Sequence, residues 1–197
     1  SLALELSEDP VRLYLKEIGQ IELLDADSEF RLAARIEAAG YIQTLLKKQK
    51  TPSGKDKNRE VFKTVVHELY EHWDLFYEAI QRHDQLDNPD LSLMLTEAQS
   101  LRHQWNLEEP SYLRNYLSVD GLWGKNNDWD EMARHGFSFF LGLYLLPQRV
   151  ASALLRYLQE HGQLPVEADL LAKLSRQSGF DEEIVAINWR SEEANQA

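Results

Sequence analysis

Residues 59–83 hold an apolar stripe that few folds can bury. Val61, Val65, Leu69, Trp73, Phe76 and Ile80 recur at intervals of three and four, and Phe62, Val66 and Tyr77 widen the band. No proline or glycine interrupts the run. A helix with so broad an apolar face needs other helices packed on it, since a lone surface helix shows a narrower stripe. This one stretch therefore commits the chain to a helical bundle.

The remaining segments repeat the same period. A helix over residues 91–105 presents Leu91, Met94, Leu95, Ala98, Leu101 and Trp105, and Pro110 opens a short one with Leu113 and Leu117. Pro147 opens another, carrying Val150, Leu154, Tyr157 and Leu158, and His161-Gly162 ends it. Pro165 starts the next, with Val166, Leu170, Leu171 and Leu174. After a turn at Ser178-Gly179, Asp181 is expected to cap a last helix holding Ile184, Val185 and Ile187. Residues 131–146 are aromatic and apolar with no clean period, and residues 120–130 read as a loop pinned by Trp123 and Trp129. Residues 51–56 read as a polar, basic loop. No strand-like alternation persists. The expected fold is all-α, an irregular bundle of about seven to nine helices.

The densest local signals lie at residues 9–37, DPVRLYLKEIGQIELLDADSEFRLAARIE. Asp9 caps a helix and Pro10 takes its first position. Val11, Tyr14, Leu15 and Ile18 form one face, and Arg12 and Lys16 lie one above the other on a neighbouring face. Gly19 ends the helix. A short connector follows, and Asp25 or Asp27 caps a second helix on which Phe30, Ala33, Ala34 and Glu37 share a side. Tyr41, Ile42, Leu45 and Leu46 continue it past Gly40.

This stretch resembles conserved region 1.2 of bacterial primary sigma factors of RNA polymerase, through the signature D-P-V-R-x-Y-[LM]-[RK]-E-[IM]-G. The resemblance implies a role in directing polymerase to promoters and in opening them. It places Arg12, Tyr14, Leu15 and Lys16 at the contact with the non-template strand of the discriminator. Basic groups there would hold phosphates while apolar groups pack on an unstacked base. Most relatives carry arginine where this chain has Lys16, and lysine loses the planar fork. Ala34 replaces a lysine common in the second helix, with Arg35 beside it. The resemblance further implies that residues 1–40 form the region 1.2 unit, 41–190 a helical insertion, and 191–197 the start of region 2.1. A larger parent protein is expected, with core RNA polymerase and promoter DNA as partners and the bacterial cytoplasm as its place. No cofactor, small-molecule substrate or catalytic activity is expected.

Charge enters at this point. The formal net charge is −12, which argues against a protein that coats DNA regardless of sequence. Yet Lys47, Lys48, Lys50, Lys55, Lys57, Arg59 and Lys63 cluster around a few acids. Lys47, Lys48, Lys55, Lys57 and Arg59, with Arg35, form a second candidate contact to DNA or polymerase. Cysteine is absent, so disulfides and thiolate metal sites are excluded. No apolar run approaches the roughly 20 residues of a membrane span.

Two motifs compete and fail. HELYEH places His67 and His72 five apart, about 140° around a helix, whereas a zinc helix needs them four apart. Residues 170–190 could form a DNA-reading helix-turn-helix, but the second helix opens on Asp181-Glu182-Glu183, which repel phosphate. One other class of function fits: a helical interaction module that binds polymerase or a regulator without touching DNA, consistent with the acidic surface.

Overall fold

The computed structural model describes residues 24–50, 54–118 and 124–197. Among them it is all-helical, with eight helices. These are α1 (Ala26–Lys48), α2 (Gly54–Gln81), α3 (Leu91–Ser100), α4 (Tyr112–Leu117), α5 (Asn127–Leu145), α6 (Gln148–His161), α7 (Glu167–Ser175) and α8 (Phe180–Gln196). The helix expected to start at Pro10 lies outside the described residues, as do residues 120–123 of the expected loop; residues 127–130 of that loop, with Trp129, instead form the first turn of α5, which Asn126 caps.

Helix α5 forms the axis of the body, packed by α1, α2, α3 and α4. Its second half, from Phe139 to Leu145, is buried on every side, whereas its first half exposes Asp128, Glu131 and Arg134 and buries Trp129, Met132 and Ala133. That explains why no period was visible over the whole stretch: the enclosed half has no polar face to set one. The stripe of α2 lies along it. An added Cβ at Gly136 would stand 2.9 Å from the Phe76 ring, and one at Gly142 would stand 2.7 Å from Leu69 Cδ1. These two glycines let the helices close, and Trp73 fills the space between them with its ring 5.2 Å from that of Phe139.

Several expectations shift, each for a physical reason. Helix α2 begins at Gly54, so residues 54–56 of the expected basic loop belong to its first turn, and residues 51–53 lie outside the described residues. Tyr77 stands 41% exposed rather than in the stripe, its ring 5.6 Å from Trp73. Helix α3 stops at Ser100 instead of continuing to Trp105. The Leu101 carbonyl, which a longer helix would use internally, accepts from the Arg35 side chain instead. Asp181 does not cap α8; Gly179 holds that position at φ 83°, and the Asp181 carboxylate bonds Asn58. Val166 and Val185, expected on apolar faces, stand 67% and 68% exposed.

Other local signals hold. Asp25 caps α1, accepting from Ser28 N at 2.6 Å; Asp90, not marked as a cap from the sequence, caps α3, accepting from Leu93 N at 3.1 Å. The Ser28 bonds hold the Asp25 carboxyl below its ordinary range. Gly162 closes α6 in the left-handed region at φ 72°. Within the core, Trp129 Nε1 donates to the Leu117 carbonyl at 2.7 Å and tethers α4 to α5.

Replacing Trp129 by Phe removes that donor, leaves a buried carbonyl unsatisfied and opens a void. Unfolding free energy should fall by about 2–4 kcal/mol. Urea denaturation measures it, and a loss under about 0.5 kcal/mol would refute this account of the tether.

Candidate nucleic-acid interface

The described part of the sigma-like unit is α1, and its buried face is unusual. Ser28, Arg31, Leu32, Ala34, Arg35, Ala38, Ala39, Ile42 and Leu45 are all buried. Ala33 and Glu37, expected on that face with Phe30 and Ala34, are exposed, and Phe30 is half-buried. Two arginines thus occupy the core-facing stripe, each 1% exposed.

Both are held by carbonyls. Arg31 donates through Nη1 to Leu107 O at 3.2 Å and through Nη2 to Glu109 O at 2.7 Å. Arg35 donates through Nε to Leu101 O at 2.9 Å and through Nη1 to Glu193 Oε2 at 3.3 Å. Arg102 repeats the pattern one layer on. It donates to Tyr144 O at 2.9 Å, near the end of α5, and pairs with Glu183 of α8. Arg190, half-buried beside Tyr144, is pushed down first by burial and then by Arg102. Carbonyls at a helix C-terminus carry partial negative charge, so a guanidinium there is favourably placed.

Arg35 is therefore the one second-contact candidate, among those whose side chains are described, that the fold withdraws from the surface. The sequence held a signal for this. Arg31 and Arg35 continue the spacing of Ala38, Ile42 and Leu45, so they lie on the apolar stripe and not beside it.

The other second-contact candidates gather at the opposite end of α1. Lys47 and Lys48 are exposed in its last turn, where its dipole favours them. Lys57 is half-exposed and Arg59 exposed in α2. The acidic start of α8 meets them there: Arg59 lines a cleft with Asp181 and Glu182, and Asn58 bonds Asp181. The cluster is thus partly neutralised from across the body. Arg12, Tyr14, Leu15, Lys16 and the side chain of Lys55 lie outside the described residues.

The α1–α2–α5 junction opens a groove of about 520 Å3 lined by Glu37, Tyr41, Glu68, Leu69, His72 and Leu141, among others. Tyr41 donates to the Glu68 carboxylate, whose pKa is raised first by burial and then by Glu71. In HELYEH, His67 bonds Glu167 through Nδ1 at 2.9 Å and Glu71 through Nε2 at 3.1 Å. His72 is half-buried with Nδ1 unpartnered. Among the described residues no cluster of three or more metal-ligating side chains occurs. None of the described helices is long and apolar enough to cross a membrane. The region weighed as a helix-turn-helix is α7, a turn and α8, with Phe180, Ile184 and Ile187 buried in the body.

Comparison with known proteins bears on the N-terminal unit. Residues 9–41 match Sigma-70 factor, region 1.2, a likeness confined to that stretch of the chain. It is 70% identical over 30 residues to RNA polymerase sigma factor SigA of Listeria monocytogenes, and equally to that of Listeria innocua. Each alignment covers 15% of this chain and 8% of the relative, so the chain spans a small part of those proteins' length. No solved structure matches the chain. Within the matched segment α1 runs unbroken from Ala26 through Tyr41 to Lys48, so the division placed after residue 40 falls inside a continuous helix.

Three outcomes are expected. Arg35→Met should lower the urea midpoint with the slope unchanged, a loss of about 1–3 kcal/mol, because the Leu101 carbonyl stays buried without its donor. Lys47→Ala with Lys48→Ala should change stability by less than about 0.5 kcal/mol. By NMR titration, His67 should lose its proton above the ordinary value of 6.5, because Glu167 bonds the charged ring, and His72 below it, because burial disfavours charge. The His67 contribution to stability is present at acid pH and fades as pH rises through its raised pKa. Glu167→Gln should bring His67 back down, and an unmoved titration would contradict the pairing.

Proposed function

We propose that this chain belongs to a sigma factor that directs RNA polymerase to promoters, and that residues 9–41 serve it as region 1.2. The observation that carries the reading is the match of that stretch to the Sigma-70 region 1.2 family, with 70% identity to SigA over 30 residues. On this reading Arg12 and Lys16 hold phosphates of the non-template strand at the discriminator, while Tyr14 and Leu15 pack against an unstacked base. Lys47, Lys48, Lys55, Lys57 and Arg59 are a secondary contact to DNA or polymerase. The partners are core RNA polymerase and promoter DNA in the bacterial cytoplasm, and the role is not enzymatic.

The buried face of α1 supports a division of labour within the unit. Arg31 and Arg35 anchor the second helix to the body, which leaves recognition to the first helix. Residues 42–190 then act as the helical support on which the unit is mounted, and residues 191–197 lead toward region 2.1.

The test uses the full-length protein with core polymerase on a promoter. Arg12→Ala plus Lys16→Ala should shorten open-complex lifetime by roughly tenfold, the scale of one or two lost charge-assisted contacts. It should also flatten the preference among discriminator sequences. Unchanged lifetime and preference would reject the discriminator contact and favour an interaction module that does not touch DNA.

A further inference from the structure

Within the helical body, three cations converge at a place the sigma reading does not use. Arg149, Lys173 and Arg176 line a cleft of about 180 Å3 between α6 and α7, completed by Val150, Ala153 and Gln177. All three are exposed. None forms an ion pair among the described residues. No carboxylate lines this cleft. Lys173 and Arg176 also reach an adjoining groove of about 340 Å3, where Asp169 is the one acid in the lining.

Positive charge at this position is electrostatically unfavourable by itself. Arg149 lies in the first turn of α6, where the helix dipole is positive, and that turn contains no acidic residue. Two further cations facing the same cleft add mutual repulsion. Lys173 and Arg176 close the C-terminus of α7, as Lys47 and Lys48 close that of α1, so Arg149 is the member that its own helix disfavours. Arg59, by contrast, lines its cleft together with Asp181 and Glu182. On a chain of net charge −12, a cleft lined by three cations, with no acid in its lining and no ion pair to any of them among the described residues, attracts an external anion. The lining has only Val150 and Ala153 as apolar members, which suits a phosphate chain better than an apolar side chain.

We propose that the α6–α7 cleft lined by Arg149, Lys173 and Arg176 grips the phosphodiester backbone of duplex DNA. The contact is independent of sequence and lies outside the region 1.2 segment. Each cation neutralises about one phosphate and releases its counterion, so binding weakens steeply with salt.

The experiment measures binding of this chain to a fluorescent 30-base-pair duplex across a salt series, starting at low ionic strength. Arg149→Gln, Lys173→Gln and Arg176→Gln together should reduce the slope of log affinity against log salt by about 3 and weaken binding at least tenfold at the lowest salt. The control carries Arg82→Gln, Lys125→Gln and Arg134→Gln, three exposed cations elsewhere on the body, and removes the same net charge. It should lose little. Circular dichroism checks that all variants stay helical. Equal losses in both triple variants would reduce the effect to net charge and overturn the proposal. So would polyglutamate competing as well as duplex DNA, since the cleft would then be a site for acidic protein. Arg12→Ala plus Lys16→Ala should leave duplex binding intact. If that pair abolished binding and the cleft triple did not, the contact would belong to the N-terminal segment and the cleft proposal would fail.

Discussion

Guanidinium groups buried against helix-end carbonyls hold this fold in register. Arg35 ties α1 to the end of α3 and to α8, and Arg102 ties the end of α3 to the end of α5 and again to α8. Arg31 fixes the connection that follows α3. A helix end leaves carbonyls without internal partners, and burying them dry is costly. An arginine satisfies them with a planar, multi-donor group that lysine does not offer. The apolar packing of α2 on α5 supplies the bulk of the core, but it is directionless. The arginines specify which helix ends meet.

The same charges divide the surface into regions with different tasks. Three acids of α8 reach across to other elements: Glu183 to Arg102, Glu193 to Arg35, Asp181 to Asn58. Part of an acidic stretch is thereby structural, while Glu182 and Glu192 stay exposed. It also means that Arg59 at the start of α2 faces acids across its cleft, whereas no acid lines the α6–α7 cleft itself. Net charge therefore says little about where an anion could bind; the local pairing decides.

Much of this architecture was legible before any coordinates. The long stripe of α2, the prolines and glycines bounding α6 and α7, and Asp25 as a cap all carried through, because each depends on neighbours within a turn or two. What was illegible depended on distant residues. Helix α5 had no visible period because its second half is enclosed, and Gly136 and Gly142 make sense only beside Phe76 and Leu69. The end of α3 is set by Arg35, 66 positions away in the chain. For the candidate interface, Arg35 looked like a surface cation because charge suggests water. Its place on the apolar stripe was the better guide. The cleft at Arg149, Lys173 and Arg176 escaped notice since its members lie on two helices.

Helix α1 continues without a break beyond the last residue of the family segment, Tyr41, into the helical body. A continuous helix acts as a rotational key. Adding one residue anywhere between Tyr41 and Lys48 would turn everything before it by roughly 100° and advance it by about 1.5 Å. Arg31 and Arg35 would then point away from their carbonyl sockets. Length variation among kindred chains should therefore gather beyond Lys48, where the helix has ended and an insertion can be absorbed without changing phase.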